Sequence, residues 1–334
     1  MTTPITIILP TLNERSHIRD CLDSLKNQDY ANIEEILVVD GGSTDGTQEI
    51  VVNEGGNIRL IDNPRMTAAS AMNIGIRECT TSLYVRVDAH TLYATDYVSR
   101  SVSTFNESVA KVVGGPMRPV GTNPFGRAVA AVTTSPLGVG PGRFHYSEKL
   151  EEVETVYLGI FDREFVINVG GYDETNLQWA AEDQELNYRI RKAGGKILLD
   201  PRITSMYFPR DNARALARQY HNYGMCKAST LVKHKVLPYW RPLAPALMVL
   251  LCIIWLPLTI IFGFWYLSPL PFVAYIAGAL AIGLRMSKER GVTPHRVAIA
   301  ISICHWCYGF GFWRGIFRIL SFRKFDTRPK GGKR

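Results

Sequence analysis

The chain has 334 residues, 46% of them hydrophobic, and a net charge of +8, enough for one large α/β domain plus an appended element. Thirteen Lys and Arg against two acids, Glu289 and Asp326, lie from Arg241 onward, so that tail is net +11 and the first 240 residues net −3. Nucleic-acid binding calls for a basic folded face; positive charge set around apolar segments argues instead for attraction to anionic lipid head groups.

The N-terminal MTTPITIILP lacks the positive n-region and cleavage pattern of a signal peptide, so the domain that follows is expected in the cytoplasm. Over the first 120 residues, short apolar runs alternate with amphipathic ones, the pattern of βαβ units around a mostly parallel sheet. Ile5–Leu9 is a strand, and Ile18, Cys21, Leu22 and Leu25 then form one helical stripe, with Asn13 placed as its cap. Ile36–Val39 is a second strand, stopped by Asp40-Gly41-Gly42-Ser43 ahead of a helix near Gly46–Val52. Strands at Ile58–Ile61, Leu83–Val87 and Val112–Val113 and helices near Thr67–Glu78 and Asp96–Phe105 continue the series.

Residues 121–145 contain Gly138, Gly140, Pro141 and Gly142 without apolar periodicity and read as a mobile loop. A second block begins near Val153 and includes Gly170-Gly171-Tyr172-Asp173-Glu174. It continues into a helix near Ala181–Ala193, with Gly194 and Gly195 where a left-handed cap would sit.

Three apolar segments close the chain. Leu243–Leu267 has no charge over 25 residues, more than the roughly 20 needed to cross a bilayer; Phe272–Leu284 and Val297–Phe312 follow. Two crossings return the chain to the cytoplasmic side at Arg285, Lys288, Arg290 and Arg296, as the positive-inside rule requires. A third would export Arg314, Arg318 and the basic residues beyond them, so the third segment is expected to be re-entrant or interfacial. Cys304 and Cys307, in this apolar setting, read as membrane-buried residues and not as a redox or metal pair.

Polar loops mark the chemistry. Pro10-Thr11-Leu12-Asn13-Glu14 follows the first strand, and Asp40-Gly41-Gly42-Ser43-Thr44-Asp45-Gly46-Thr47 follows the second. In open α/β sheets ligands collect at the carboxyl ends of strands, so two adjacent loops of this kind suggest a nucleotide site. Asp88 and His90, two residues apart in Tyr84-Val85-Arg86-Val87-Asp88-Ala89-His90, share one face of an extended chain. Glu182 and Asp183 open a helix, after Trp179-Ala180-Ala181. An acidic pair there is also favoured by the helix dipole alone. Neither of the first two strands is followed by the G-x-G-x-x-G of a dinucleotide-binding dehydrogenase.

In order and spacing these segments resemble those of the family 2 inverting glycosyltransferases. The resemblance covers about residues 4–225 and is nearest to membrane-bound, succinoglycan-type transferases of exopolysaccharide assembly. It implies a GT-A fold: a Rossmann-like, mostly parallel sheet with flanking helices, here followed by transmembrane helices. The implied division is a catalytic domain over 1–240, a membrane region of two or three apolar helices over 241–320 and a basic tail over 321–334. Thr11, Glu14 and Asp40 would hold base and ribose, with Pro10, Asn13, Gly41 and Ser43 beside them. The family usually carries D-x-D where this chain has Asp88-Ala89-His90; Asp88 and His90 would hold a divalent metal, Mn2+ or Mg2+, on the donor diphosphate. Imidazole suits Mn2+ better than Mg2+. Asp183, with Glu182 beside it, would be the catalytic base.

Weaker matches follow the same resemblance. Asn73 lies in an N-x-G segment whose preceding residue is Met72 and not Arg, and Arg65 is a candidate replacement for that contact. Arg218 and Gln219 sit where processive relatives carry Q-x-x-R-W, but only Gln219 matches, which argues against a processive synthase. Arg214 and Arg218 would face either a diphosphate or lipid head groups.

The implied reaction is inverting transfer of a sugar from a nucleotide-diphosphate sugar to a polyprenyl-diphosphate-linked glycan. A UDP-sugar is the commonest donor among such enzymes. The implied place is the cytoplasmic (inner) membrane, multi-pass, with the catalytic domain facing the cytoplasm and residues near Gly138–Gly142 covering the site. The alternatives are a polyprenyl-phosphate monosaccharide synthase and, from another class, a non-catalytic membrane scaffold. Which sugar, which linkage and which oligomeric state stay open.

Overall fold

The structure is a computed structural model that describes residues 3–139, 142–175, 181–235 and 243–321. In chain order the elements run β1 (Ile5–Thr11), α1 (Ile18–Lys26), β2 (Ile33–Asp40), α2 (Thr47–Glu54), β3 (Ile58–Asp62), α3 (Ala68–Glu78), β4 (Leu83–Arg86), β5 (Thr91–Tyr93) and α4 (Tyr97–Asn106). Next come β6 (Ala110–Gly114), β7 (Arg118–Pro119), α5 (Pro124–Thr133), α6 (Pro136–Val139), β8 (Glu151–Glu152), β9 (Gly159–Asp162), α7 (Arg163–Asn168) and α8 (Glu182–Lys192). The chain closes with β10 (Lys196–Leu199), β11 (Ser205–Tyr207), α9 (Ala213–His234), α10 (Ala244–Ile261), α11 (Leu270–Arg290) and α12 (Pro294–Leu320). Their described residues form two compact units, one from 3–118, 142–175 and 181–207, the other from 119–139, 208–235 and 243–321.

The first unit is a mixed sheet in the order β3-β2-β1-β4-β9-β6-β10-β8. β1, β2, β3 and β4 are mutually parallel where they pair, and β9 runs antiparallel between β4 and β6. β1 and β4 are buried on both faces, which is why they read as unbroken apolar runs. The period of two sends Ile5, Ile7 and Leu9 into one core layer with Ile18, Cys21, Leu22 and Leu25 of α1. Ile8 goes into the opposite layer with Met72 and Ile76 of α3. β5 and β11 pair antiparallel in a separate small sheet.

The second unit is helical. α12 packs through Val297, Ala300, Ile301 and Cys304 against Leu216 and Tyr220 of α9 and Ala128, Val129 and Val132 of α5. Small residues allow the close approach. A Cβ on Gly224 of α9 would lie 2.1 Å from the Tyr308 carbonyl oxygen, and one on Gly311 of α12 would lie 2.0 Å from that of His221. Gly311 and Gly315, and Gly224 and Ala228, are each four residues apart, a spacing that lines small residues along one helix face and lets two backbones approach closely.

Two stretches are long and apolar enough to cross a membrane, Ala244–Ile261 and Trp265–Arg290, and only 22% and 11% of their most apolar windows are buried. Leu251, Ile254, Ile261, Val273 and Leu284 are exposed. A soluble core helix would bury such side chains; lipid is the solvent that accommodates them. Phe264, Trp265 and Tyr266 are exposed at the turn between α10 and α11, where an aromatic belt sits.

Several expectations change. The loop expected over 121–145 is largely helical: α5 is capped by Asn123, whose Oδ1 accepts from Gly126 N at 2.7 Å, with Pro124 at its first position. Phe125, Ala128, Val129 and Val132 recur at i, i+3, i+4 and i+7 and form its packed face, a stripe masked in the sequence by the Gly and Pro around it. Gly140 and Pro141 lie outside the described residues. α5 and α9 group with the apolar helices, so the structural boundary differs from a single cut at 240. The third apolar segment is one continuous helix of 27 residues, about 40 Å long, with no turn back within it. A re-entrant form is therefore excluded. The basic tail from 322 lies outside the described residues.

Candidate active site

The carboxyl ends of β1 and β2 are level, with Thr11 opposite Asp40, and the two loops beyond them are tied residue by residue. Gly41 N donates to Thr11 O at 2.9 Å, and Asn13 N donates to Ser43 Oγ at 2.7 Å. Thr44 N donates to Asn13 Oδ1, and Glu14 N to Thr47 Oγ1, both at 2.9 Å. Asn13 adopts φ 56°, a left-handed conformation that Asn tolerates better than most residues. It therefore links the loops and does not cap α1, which begins five residues later behind His17.

Asp40 is 1% exposed. Its Oδ1 accepts from Gly42 N (2.9 Å), Ser43 N (2.7 Å) and Gln48 Nε2 (2.6 Å), and its Oδ2 from Thr11 Oγ1 (2.9 Å) and Ser43 Oγ (2.6 Å). A carboxylate offers about four lone-pair sites, so protein donors saturate it. Burial raises its pKa, but the hydrogen bonds from Ser43, Gln48 and Thr11 outweigh burial and hold it below the usual value. Asp40 thus organises the loop, with Ser43 and the close-packed Gly41 as parts of the same turn. Glu14 has a partly exposed side chain, with Oε1 3.5 Å from His90 Nδ1 and Oε2 3.8 Å from His17 Nδ1. His90 also stands edge-on to Tyr207, 5.6 Å between ring centres.

At the end of β4 the structure gathers a charge cluster whose central member, Arg86, the sequence motifs did not single out. An arginine inside an otherwise apolar strand was the available signal. Arg86 Nη2 donates to Glu182 Oε1 at 2.8 Å and lies 3.9 Å from Asp88 Oδ1. Its guanidinium lies 5.6 Å from the centre of the Tyr172 ring. Glu182 is 7% exposed and so belongs to an ion pair. Asp183 is partly exposed and has no ion-pair partner among the described residues; its Oδ1 accepts from Gln184 N at 2.7 Å. Crowding by protein atoms, then the neighbouring Glu182 charge, pushes its carboxyl up to about 6, against the opposing pull of Arg86. Ala181, just before the pair, has φ 59°, a strained conformation for a residue with a Cβ. Trp179 and Ala180 lie outside the described residues.

Asn73 meets the backbone of Tyr172, whose ring lies against Arg86. Its Nδ2 donates to Tyr172 O (2.9 Å) and Glu174 Oε1 (2.7 Å), and its Oδ1 accepts from Tyr172 N (2.8 Å). Gly171, at φ 63°, gives Asn73 the room to do so: a Cβ there would lie 2.7 Å from Asn73 Oδ1. Asn73 therefore clamps the Gly170–Glu174 turn, and Arg65 forms an ion pair with Glu174 of the same turn. Pro10 is half-buried near the end of β1. Arg218 and Gln219 lie on α9 in the second unit, where Gln219 Nε2 donates to Tyr223 Oη at 3.0 Å.

Among the described residues no group of three or more His, Cys, Asp or Glu side chains is gathered as a metal cage. β4 ends at Arg86 and Ala89-His90 form a turn, so Asp88 and His90 do not share the face of one extended strand; each is partly exposed, and together they offer one oxygen and one nitrogen donor. That set fits a divalent ion that takes its remaining ligands from phosphate and water.

Residues 6–167 match the model of glycosyl transferase family 2. The chain is 30% identical to the succinoglycan biosynthesis protein ExoA of Rhizobium meliloti over 96% of its own length and 97% of that protein's. It is 26% identical, over 94% and 97%, to a dolichyl N-acetylglucosaminyl phosphate 3-β-D-2,3-diacetamido-2,3-dideoxy-β-D-glucuronosyltransferase of Methanococcus voltae. Its fold resembles the mannosyltransferase PcManGT of Pyrobaculum calidifontis, solved with GDP-Man and Mn2+, with a TM-score of 0.59 at 18% identity over 94% of this chain and 88% of that one. The match to the family model, together with a relative covered over nearly its whole length, leads to one statement: the chain belongs to glycosyl transferase family 2.

Proposed function

We propose that the chain transfers a sugar, with inversion, from a nucleotide-diphosphate sugar to a lipid-linked glycan during polysaccharide assembly. The observation that carries this reading is the pairing of roles around Arg86: Glu182 is held in a buried ion pair while Asp183, beside it, is partly exposed with a raised pKa. An inverting transfer needs one carboxylate to take the proton of the acceptor hydroxyl as its oxygen attacks the anomeric carbon, and Asp183 has that character. The loops joined at Thr11, Asn13 and Ser43 form the nucleotide side, with Glu14 turned towards His90. Asp88 and His90 would hold Mn2+ or Mg2+, which when bound offsets the charge of the departing diphosphate.

A lipid-linked acceptor is supported by the two exposed apolar spans and by the relative named for a dolichyl-linked acceptor. With α10 and α11 crossing, the first unit and Arg290 stay on the cytoplasmic face of the inner membrane. The test is nucleoside diphosphate release by the full chain in nanodiscs. UDP-glucose, UDP-galactose, UDP-N-acetylglucosamine and GDP-mannose are the donors, and a polyprenyl-diphosphate disaccharide is the acceptor. Elongated lipid seen by mass spectrometry supports the proposal. A polyprenyl-phosphate monosaccharide as the product would favour the alternative synthase, and no turnover of any donor would favour a scaffold.

A further inference from the structure

Arg86 is the charged residue of β4 and is 6% exposed. Its Nη2 donates to Glu182 Oε1 at 2.8 Å, and its guanidinium lies 5.6 Å from the Tyr172 ring centre. The contact with Glu182 spans 96 positions and fastens the first residue of α8 to the strand that leads into Asp88. The chain arrives at that helix through Ala181 in a strained left-handed turn, a conformation that persists only where its surroundings impose it.

We propose that Arg86 is a positioning residue for the transfer reaction. By pinning Glu182 it fixes the first turn of α8 against the end of β4, and so sets the direction in which Asp183 meets the acceptor hydroxyl. The inference rests on Asp183 as the base. Arg86 itself touches neither substrate nor metal in this role, and its nearness to Asp88 keeps the base helix and the donor side in one frame.

The experiment uses the full chain in nanodiscs with the donor that the nucleotide-release screen selects. Arg86→Met should lower kcat about a hundredfold, the loss typical of a reacting group displaced by about 1 Å, while donor KM changes less than about threefold. Arg86→Lys, which keeps the charge, should restore at least tenfold of that loss. Combining Arg86→Met with Glu182→Gln should cost no more than Arg86→Met alone, because both act through one contact. Wild-type kcat in Arg86→Met, losses that multiply in the double variant, or a raised donor KM with kcat kept would each overturn the proposal. If Arg86→Met does not fold, Arg86→Lys and Glu182→Gln carry the test: lowered kcat with donor KM kept supports it, and wild-type kcat in both overturns it. Asp183→Asn, run alongside, separates the two readings, since wild-type transfer in that variant removes the base itself whatever Arg86 does.

Discussion

Thr11 Oγ1 donates to Asp40 Oδ2 at 2.9 Å because the two residues are register partners at the ends of adjacent parallel strands. That contact closes a set of five hydrogen bonds on one buried carboxylate. The loop thought to hold the nucleoside through Asp40 is itself held by Asp40.

Asp40→Ala strands the Gly42 and Ser43 amides, two hydroxyls and the Gln48 amide. The expected outcome is a loss of about 2–3 kcal/mol of stability, seen as a lower melting temperature of the detergent-purified protein, with Thr11→Val costing about 1 kcal/mol. An unchanged melting curve with only donor KM raised would return Asp40 to direct nucleotide contact.

Asp183→Asn should lower transfer by about 10²–10⁴, the usual contribution of a positioned base, with nucleotide binding kept. In the wild type, kcat should fall as pH drops through about 6, where Asp183 takes up its proton. The stability effect has the opposite sense. The folded value lies above the unfolded 3.8, so the native state binds more protons between about 4 and 6, and this group's contribution to stability is lost as pH rises through that window. Asp183→Asn should therefore melt higher than wild type near pH 7.5, and the gain should shrink by pH 4.

His90 Nδ1 lies 3.5 Å from Glu14 Oε1, which leaves Nε2 as the nitrogen available to a metal or diphosphate. His90→Ala should weaken Mn2+ binding by about tenfold or more, read by electron paramagnetic resonance titration with the nucleotide present. Unchanged metal affinity and unchanged rate together would remove His90 from the site.

Gly311→Leu forces a side chain onto the His221 carbonyl. The expected cost is about 1–3 kcal/mol from overpacking, seen as early melting of the helical unit by circular dichroism in detergent. Gly278→Leu is the control, since a Cβ there meets nothing within 4 Å.

The sequence by itself determined the parts whose signal is local. The apolar runs of β1, β2 and β4, the Ile18–Leu25 stripe of α1 and the two apolar helices long enough to cross a membrane follow from periodicity and length over a few turns. Asp88 and Asp183 stand out in the sequence because their motifs sit just past a strand and at a helix start, and their roles in transfer are part of the proposal. Tertiary structure alone decided what depends on distant partners. Asp40 became a loop organiser because Thr11 and Gln48 reach it, Asn73 a clamp because Tyr172 and Glu174 meet it, and α5 a helix of the apolar unit because α12 offers it a face. Glu182 and Asp183 are neighbours of like chemistry in the chain. They differ in the fold because a buried guanidinium from β4 reaches Glu182, and no pattern along the chain encodes a contact across 96 positions.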